Sequence, residues 1–283
     1  MIRFIIKEDF SQIKQIWQVC FGDDESYVRL FWDNGFPLCR GLAREEDGAL
    51  VSMLFLLPGF LTDAAARIRA EYVYAVATLP EHRGKGHAAE LIRHAAEIAQ
   101  KDGLSALCLM PAEESLCDYY QKTGFVKAFA RRIYTYVRED INAPYVPTNA
   151  PWNAQKIAKQ RDNRLQGLGY FEWTPRLLDY MRAEEMFRGG KVRISDRGHL
   201  FYHAEDGILQ VDECCASAEE TRWLLQKALL MSECKQAAAR LPVDFDDPNT
   251  LAETTGMLLP LNDDANQWLA RTQGKAFLGL SLE

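Results

Sequence analysis

Residues 71–129 read EYVYAVATLPEHRGKGHAAELIRHAAEIAQKDGLSALCLMPAEESLCDYYQKTGFVKAF, and the order is strand, basic glycine loop, helix, strand, helix, strand without a gap. Residues 72–78 are β-branched, aromatic or small, which suits a buried strand, and Pro80 closes it. Arg83, Gly84, Lys85 and Gly86 then open a helix. A helix start leaves its first backbone N–H groups unpaired and carries about half a positive charge, so a pyrophosphate there is held by main chain and dipole together. The glycines let the backbone come close, and Arg83 and Lys85 add formal charge. The stretch predicts a pocket for a phosphorylated cofactor.

From Gly86 the helix carries Ala88, Leu91, Ile92, Ala95, Ile98 and Ala99 at the spacing of one buried face, and Gly103 stands where a left-handed C-cap belongs. Residues 104–110 predict a second apolar strand, broken by Pro111. A short helix over 114–123 ends at Gly124, before a strand from Phe125. The loop is therefore expected between two parallel strands.

At these residues a family resemblance is plain. Arg83-Gly84-Lys85-Gly86-His87-Ala88 resembles the R-x-x-G-x-G/A acyl-CoA loop of the GNAT superfamily of N-acetyltransferases, and Tyr120-Gln121-Lys122-Thr123-Gly124-Phe125 resembles its downstream Y-x-x-x-G-F motif. Either alone is weak, since basic glycine loops occur on many surfaces; the two in order are specific. The resemblance covers roughly residues 1–138 in pattern, with its specific motifs between Val76 and Phe125.

The chain has 283 residues, more than one compact domain needs, so two domains are expected. A formal net charge of −7 argues against nucleic acid as the main partner, because phosphate backbones are held by an excess of lysine and arginine. The seven cysteines show no C-x-x-C spacing and are odd in number, which suits reduced core residues rather than a disulfide framework or zinc site. His82, His94, His199 and His203 also lack metal-ligand spacing, so no metal is expected. The N-terminus turns acidic before any long apolar run, and the longest such run, 50–61, contains Pro58 and Gly59. With no signal peptide or membrane span read, a cytoplasmic protein without a membrane partner is expected.

Residues 7–20 and an aromatic segment around Tyr27, Leu30 and Phe31 predict two helices, followed by a hairpin turning at Asp47-Gly48, with strands over 42–45 and 49–57. After an alternating strand over 131–137, Pro144, Pro147 and Pro151 read as a linker. A second domain is expected from Trp152, with a helix capped by Thr174-Pro175 and running to Phe187, then strands over 191–195, 199–203 and 208–214. Ser217-Ala218-Glu219-Glu220 is a capping box, a strand is expected over 237–241, and a short helix is expected before Gly256-Met257. Ser217 to Gly256 matches Gly86 to Gly124 in spacing within one residue, which predicts a degenerate repeat without the cofactor loop.

The expected fold class is thus α/β (α+β): a GNAT-type mixed twisted sheet flanked by helices, followed by a second GNAT-like domain. The expected division is a catalytic domain over 1–138, a linker over 139–151 and a degenerate domain over 152–283 shaping the acceptor site. In this tandem layout the chain is similar to the enhanced intracellular survival family of acetyltransferases, without their sterol-carrier-like domain. That family's C-terminal carboxylate is proposed as a base, a role not carried to Glu283, which ends a different domain.

The resemblance implies an N-acetyltransferase that passes an acetyl group from acetyl-CoA to a primary amine, on a small molecule or a peptide. It implies Tyr120 as general acid, while Tyr119 is read as packing. It implies backbone contacts from Val76, Ala77 and Thr78 to pantetheine, with the Val76 N–H on the thioester oxygen. Arg83, Gly84, Lys85, Gly86, His87, Ala88 and Ala89 would wrap the pyrophosphate, and Ser115 would touch the pantetheine arm. His87 is read as a backbone contact with its side chain at the surface. Glu71 and a water chain are both open as the base, and a homo-oligomer is left open. The alternative is a non-catalytic acyl-CoA-binding or assembly module.

Overall fold

The computed structural model describes residues 1–139 and 150–282; Pro144 and Pro147 of the expected linker, and Glu283, lie outside them. The first half carries β1 (Ile2–Phe4), α1 (Phe10–Phe21), α2 (Glu25–Asn34), β2 (Arg40–Glu46), β3 (Ala49–Thr62), β4 (Arg67–Thr78), α3 (His87–Lys101), β5 (Ala106–Leu109), α4 (Cys117–Lys122), β6 (Val126–Lys127) and β7 (Ala130–Val137). The rest carries α5 (Ala154–Leu165), β8 (Tyr170–Trp173), α6 (Pro175–Phe187), β9 (Lys191–Ile194), β10 (His199–Glu205), β11 (Ile208–Cys215), α7 (Ala218–Leu230), β12 (Gln236–Leu241), β13 (Thr250–Thr254), β14 (Met257–Pro260) and α8 (Asp263–Thr272). Two compact units emerge. The first comprises Met1–Phe60, Ile68–Val126 and Met257–Trp268, and the second Leu61–Arg67, Lys127–Gly256 and Leu269–Glu283.

In the first unit the larger sheet runs β1-β2-β3-β4-β5-β14. Asp47 and Gly48 both have positive φ, 50° and 82°, as the tight turn between β2 and β3 requires. Leu91, Ile92, Ala95 and Ala99 of α3 pack with Leu54, Leu56, Leu107 and Leu109 of the sheet, so the helical period of the sequence becomes a core face. Gly103, at φ 72°, lets the chain leave α3, and Leu104 N–H closes the turn on Ala99 O at 2.9 Å.

Strands β4 and β5 are parallel but pair only at Ala70–Ala106, Glu71–Leu107 and Tyr72–Cys108. Beyond Tyr72, β4 runs on to Thr78, whereas β5 ends at Leu109, one residue past Cys108. Ala75 sits at φ 50° in this stretch, a left-handed residue inside a strand, which bends it as a bulge does. The result is a parting of two parallel strands at their C-terminal ends, beside the glycine loop.

In the second unit a six-stranded sheet runs β13-β7-β12-β11-β10-β9. Strands β11 and β12 are parallel, with α7 as their crossover, and Leu224, Leu225, Ala228 and Leu229 of that helix pack on Val211, Ala237 and Ala239. The last residues of β3, Leu61 and Thr62, belong to this unit, as does β8. Glu172 of β8 accepts from Thr62 Oγ1 at 2.8 Å and from Arg67 Nε at 2.9 Å. All seven cysteines are unpaired; five are buried, while Cys20 and Cys39 are half-buried.

The division therefore does not fall at 138 and 152. Strand β7, expected in the first domain, pairs with β12 and β13 in the second sheet. Strand β14, expected in the second domain, pairs antiparallel with β5 in the first, Met257 opposite Leu109. An apolar strand of four to eight residues carries no mark of which sheet will take it, since pairing is decided by register and partner. The short helix expected before Gly256 is absent; β13 occupies Thr250–Thr254 instead. The strand–helix–strand half of the repeat is there, and its second helix is not.

Candidate active site

The glycine loop follows β4 directly. Leu79 N–H is held by Val51 O at 3.0 Å, a 3-10 turn takes up Pro80–His82, and Gly84 and Gly86 have φ of 76° and 83°. Gly86 is the N-cap of α3 and offers no capping side chain, and the first helical bond is Glu90 N–H to Gly86 O at 3.0 Å. The early N–H groups of α3 are thus left to an outside acceptor, at the positive end of a 15-residue helix. Gly84, Lys85 and Gly86 are exposed, and Ala88 and Ala89 are half-buried. Empty space surrounds the Cβ direction of both glycines.

Side chains fix the end of β4. Ser52 Oγ donates to Ala77 O at 2.7 Å and lies 2.8 Å from Thr78 Oγ1. Arg83 does not simply extend into solvent: its Nε donates to Thr78 O at 3.0 Å, and Nη2 lies 3.8 Å from Cys20 Sγ. Cys20, which donates to Thr78 O at 3.3 Å, was invisible as a neighbour of the loop, because nothing in a helix 58 residues upstream signals that contact. Tyr74 is likewise legible only as a strand aromatic, yet its hydroxyl meets that of Tyr27 at 3.2 Å.

Tyr120 lies on α4, 8% exposed, in the same apolar cluster as Val73 and Leu109, which flank the parting of β4 and β5; Val76 packs against that cluster. Its ring meets Phe125 edge-on at 5.8 Å. Burial, helped by Tyr119, pushes its phenol up to about 12, so the hydroxyl keeps its proton throughout the neutral range. Tyr119 packs against the same cluster, as expected of a packing residue.

The expectation for His87 needs amendment, and Ser115 and Glu71 have partners of their own. His87 is not at the surface: it is 6% exposed, and its Nε2 lies 3.4 Å from Glu46 Oε1. Helical position alone cannot distinguish that orientation, because the first turn of α3 lies against the β2–β3 turn. Ser115 is exposed and donates to Glu113 Oε2 at 3.1 Å. Glu71 is buried and accepts from Arg40 Nη2 at 2.8 Å, and Arg40 also binds Asp102, the C-cap of α3. A helix of that length spans about 20 Å, so Glu71 belongs to the opposite end of α3 from the loop, with its carboxylate already committed.

Residues 1–128 match the sequence profile described as the acetyltransferase (GNAT) domain. None of the curated proteins matches the chain. Three solved structures share the fold over nearly its whole length. A GCN5-related N-acetyltransferase from Kribbella flavida is 18% identical with a TM-score of 0.72, over 94% of this chain and 73% of that one. A conserved protein of unknown function from Enterococcus faecalis V583, described as a probable N-acyltransferase, is 15% identical with a TM-score of 0.73, over 93% and 72%. Eis1 from Mycobacterium abscessus is 17% identical with a TM-score of 0.70, over 94% and 75%.

Proposed function

We propose that this chain, whose residues 1–128 match the acetyltransferase (GNAT) domain profile, is a GNAT enzyme that transfers an acetyl group from acetyl-CoA to a primary amine. The observation that carries the reading is the uncapped start of α3 beside the parting of β4 from β5. There a pyrophosphate would meet the N–H groups of residues 84–89, and a pantetheine arm would lie along Val76–Thr78 as an added strand.

In the reaction the neutral amine nitrogen attacks the thioester carbonyl carbon, and the oxygen gains charge that the Val76 N–H would meet. The tetrahedral intermediate then collapses, the C–S bond breaks, and the amine proton leaves to water. A CoA thiol has a pKa near 8.5, well below that of the buried Tyr120 phenol, so outright transfer from Tyr120 would run uphill. Tyr120 therefore serves as a hydrogen-bond donor to the departing sulfur, and the thiolate takes its proton from the water that receives the amine proton. Glu71, tied to Arg40, is set aside as the base, and water takes that role.

The experiment is CoA-thiol release from acetyl-CoA against a panel of small amines and peptides, with mass spectrometry of the products. An amine carrying one acetyl group supports the reading. CoA binding without turnover on any amine would instead favour a non-catalytic acyl-CoA-binding module.

A further inference from the structure

We propose that Glu46, His82 and His87 form a site for one divalent transition-metal ion of the zinc class, next to the glycine loop. The residues come from three places that the fold brings together: the end of β2, the 3-10 turn after β4, and the first residue of α3. His82 Nδ1 lies 3.1 Å from Glu46 Oε2, His87 Nε2 lies 3.4 Å from Glu46 Oε1, and all three ligand atoms fall within 4.8 Å of one another. Ligands bound tetrahedrally at about 2.0–2.2 Å stand roughly 3.3–3.6 Å apart, so little movement is needed to take up an ion.

His87 supplies an independent argument. It is 94% buried, and neither ring nitrogen has a hydrogen-bond partner among the described residues. An imidazole nitrogen left unpaired in the interior loses its hydration without replacement, and coordination by Nε2 would remove that cost at the atom facing Glu46. A plain ion pair explains the cluster less well. Glu46 already has a hydrogen-bonded partner in His82, while the contact to His87 has ion-pair distance without hydrogen-bond geometry. Arg44 approaches Glu46 Oε1 at 3.6 Å, but its other nitrogen bonds Glu90 at 2.9 Å and can hold it there.

The donor set points to the ion's class. Two imidazoles and one carboxylate suit zinc and its neighbours, better than the all-oxygen shells of magnesium and calcium or the thiolates of copper(I). His82 and Glu46 remain about a quarter exposed, which leaves an entry path and a fourth position for water. Among the described residues two other clusters of possible ligands, His199 with Glu213 and Cys215 and His203 with Glu185 and Asp212, have cations of their own. Glu213 beside His199 is neutralised by Arg161 at 2.9 Å, and Asp212 beside His203 is held by Arg240.

The test needs no acyl-CoA, so it stands or falls apart from the proposed reaction. The full-length chain, stripped with chelator, is titrated with Zn²⁺ by calorimetry and with Co²⁺ by visible absorption. The expected result is one ion per chain and the intense visible bands of low-coordinate Co²⁺. His87→Ala and His82→Ala should each weaken binding about 100-fold or more, while His203→Ala leaves it unchanged. Should His87→Ala fail to fold, the half-buried His82 gives the decisive variant. No single-site binding at micromolar protein, or binding that survives His82→Ala, or loss of binding in His203→Ala, overturns the proposal.

Discussion

Tyr72 and Cys108 are the last residues to face each other across β4 and β5; beyond them the two parallel strands part. Ala70 and Tyr72 hold the paired end, and Ala75, at φ 50°, bends the rest of β4 as a bulge does. The opening lies on the side where Gly86 starts α3 and Tyr120 joins the core. The chemistry proposed for the first unit depends on that geometry.

Gly86→Ala should weaken CoA binding at least about 10-fold in calorimetry. The cause is conformational rather than steric. A side chain there meets nothing within 4 Å, but φ of +83° costs an L-residue about 1–2 kcal/mol, and relieving it would turn the loop's N–H groups away. Undiminished CoA affinity in a folded variant would remove the loop from the account.

Tyr120→Phe deletes one hydroxyl from a buried ring and should leave CoA affinity and fold in place while turnover falls roughly 100-fold. Because the phenol is pushed up to about 12, the wild-type rate should show no loss from Tyr120 ionisation below pH 10. An unchanged rate with a confirmed amine would assign Tyr120 to packing alone.

His203, bonded between Asp212 and Glu185 in the second unit, is raised to about 9 by those two carboxylates. A group whose folded pKa is raised stabilises fully below its unfolded value, near 6.5, and loses that contribution as pH climbs through the folded value. Urea unfolding should therefore show stability falling between pH 6.5 and 9, by on the order of 1 kcal/mol after solvent screening, and His203→Gln should flatten the slope. A slope unchanged by that substitution would contradict the assignment.

A chain ending after Arg138 should aggregate rather than give a free first domain. It lacks β14, whose Met257 and Leu258 are fully buried against β5, and would expose both the strand edge and that apolar surface. A soluble, monomeric, folded product by size exclusion and circular dichroism would show that β14 is dispensable.

What the sequence reveals here follows from the range of each signal. Helix α3 announces itself through period, Gly86 and Gly103, all local, and the β2–β3 turn through Asp47-Gly48. The exchange of β7 and β14 between sheets is not legible, because strand partners are chosen across more than a hundred residues. The same holds at the site. The loop and Tyr120 stand in one continuous stretch and are legible there as candidates, whereas the contacts of Cys20 and Glu46 arise only when distant elements close on the loop. The burial of His87 is hidden in the sequence for that reason.

The most direct test of the account is a crystal structure of the full-length chain with CoA. The prediction is pyrophosphate oxygens within hydrogen-bond reach of the backbone N–H groups of residues 84–89, the pantetheine arm running along Val76–Thr78, and the sulfur near the Tyr120 hydroxyl. CoA bound elsewhere, or a loop that stays empty under saturating CoA, would contradict it.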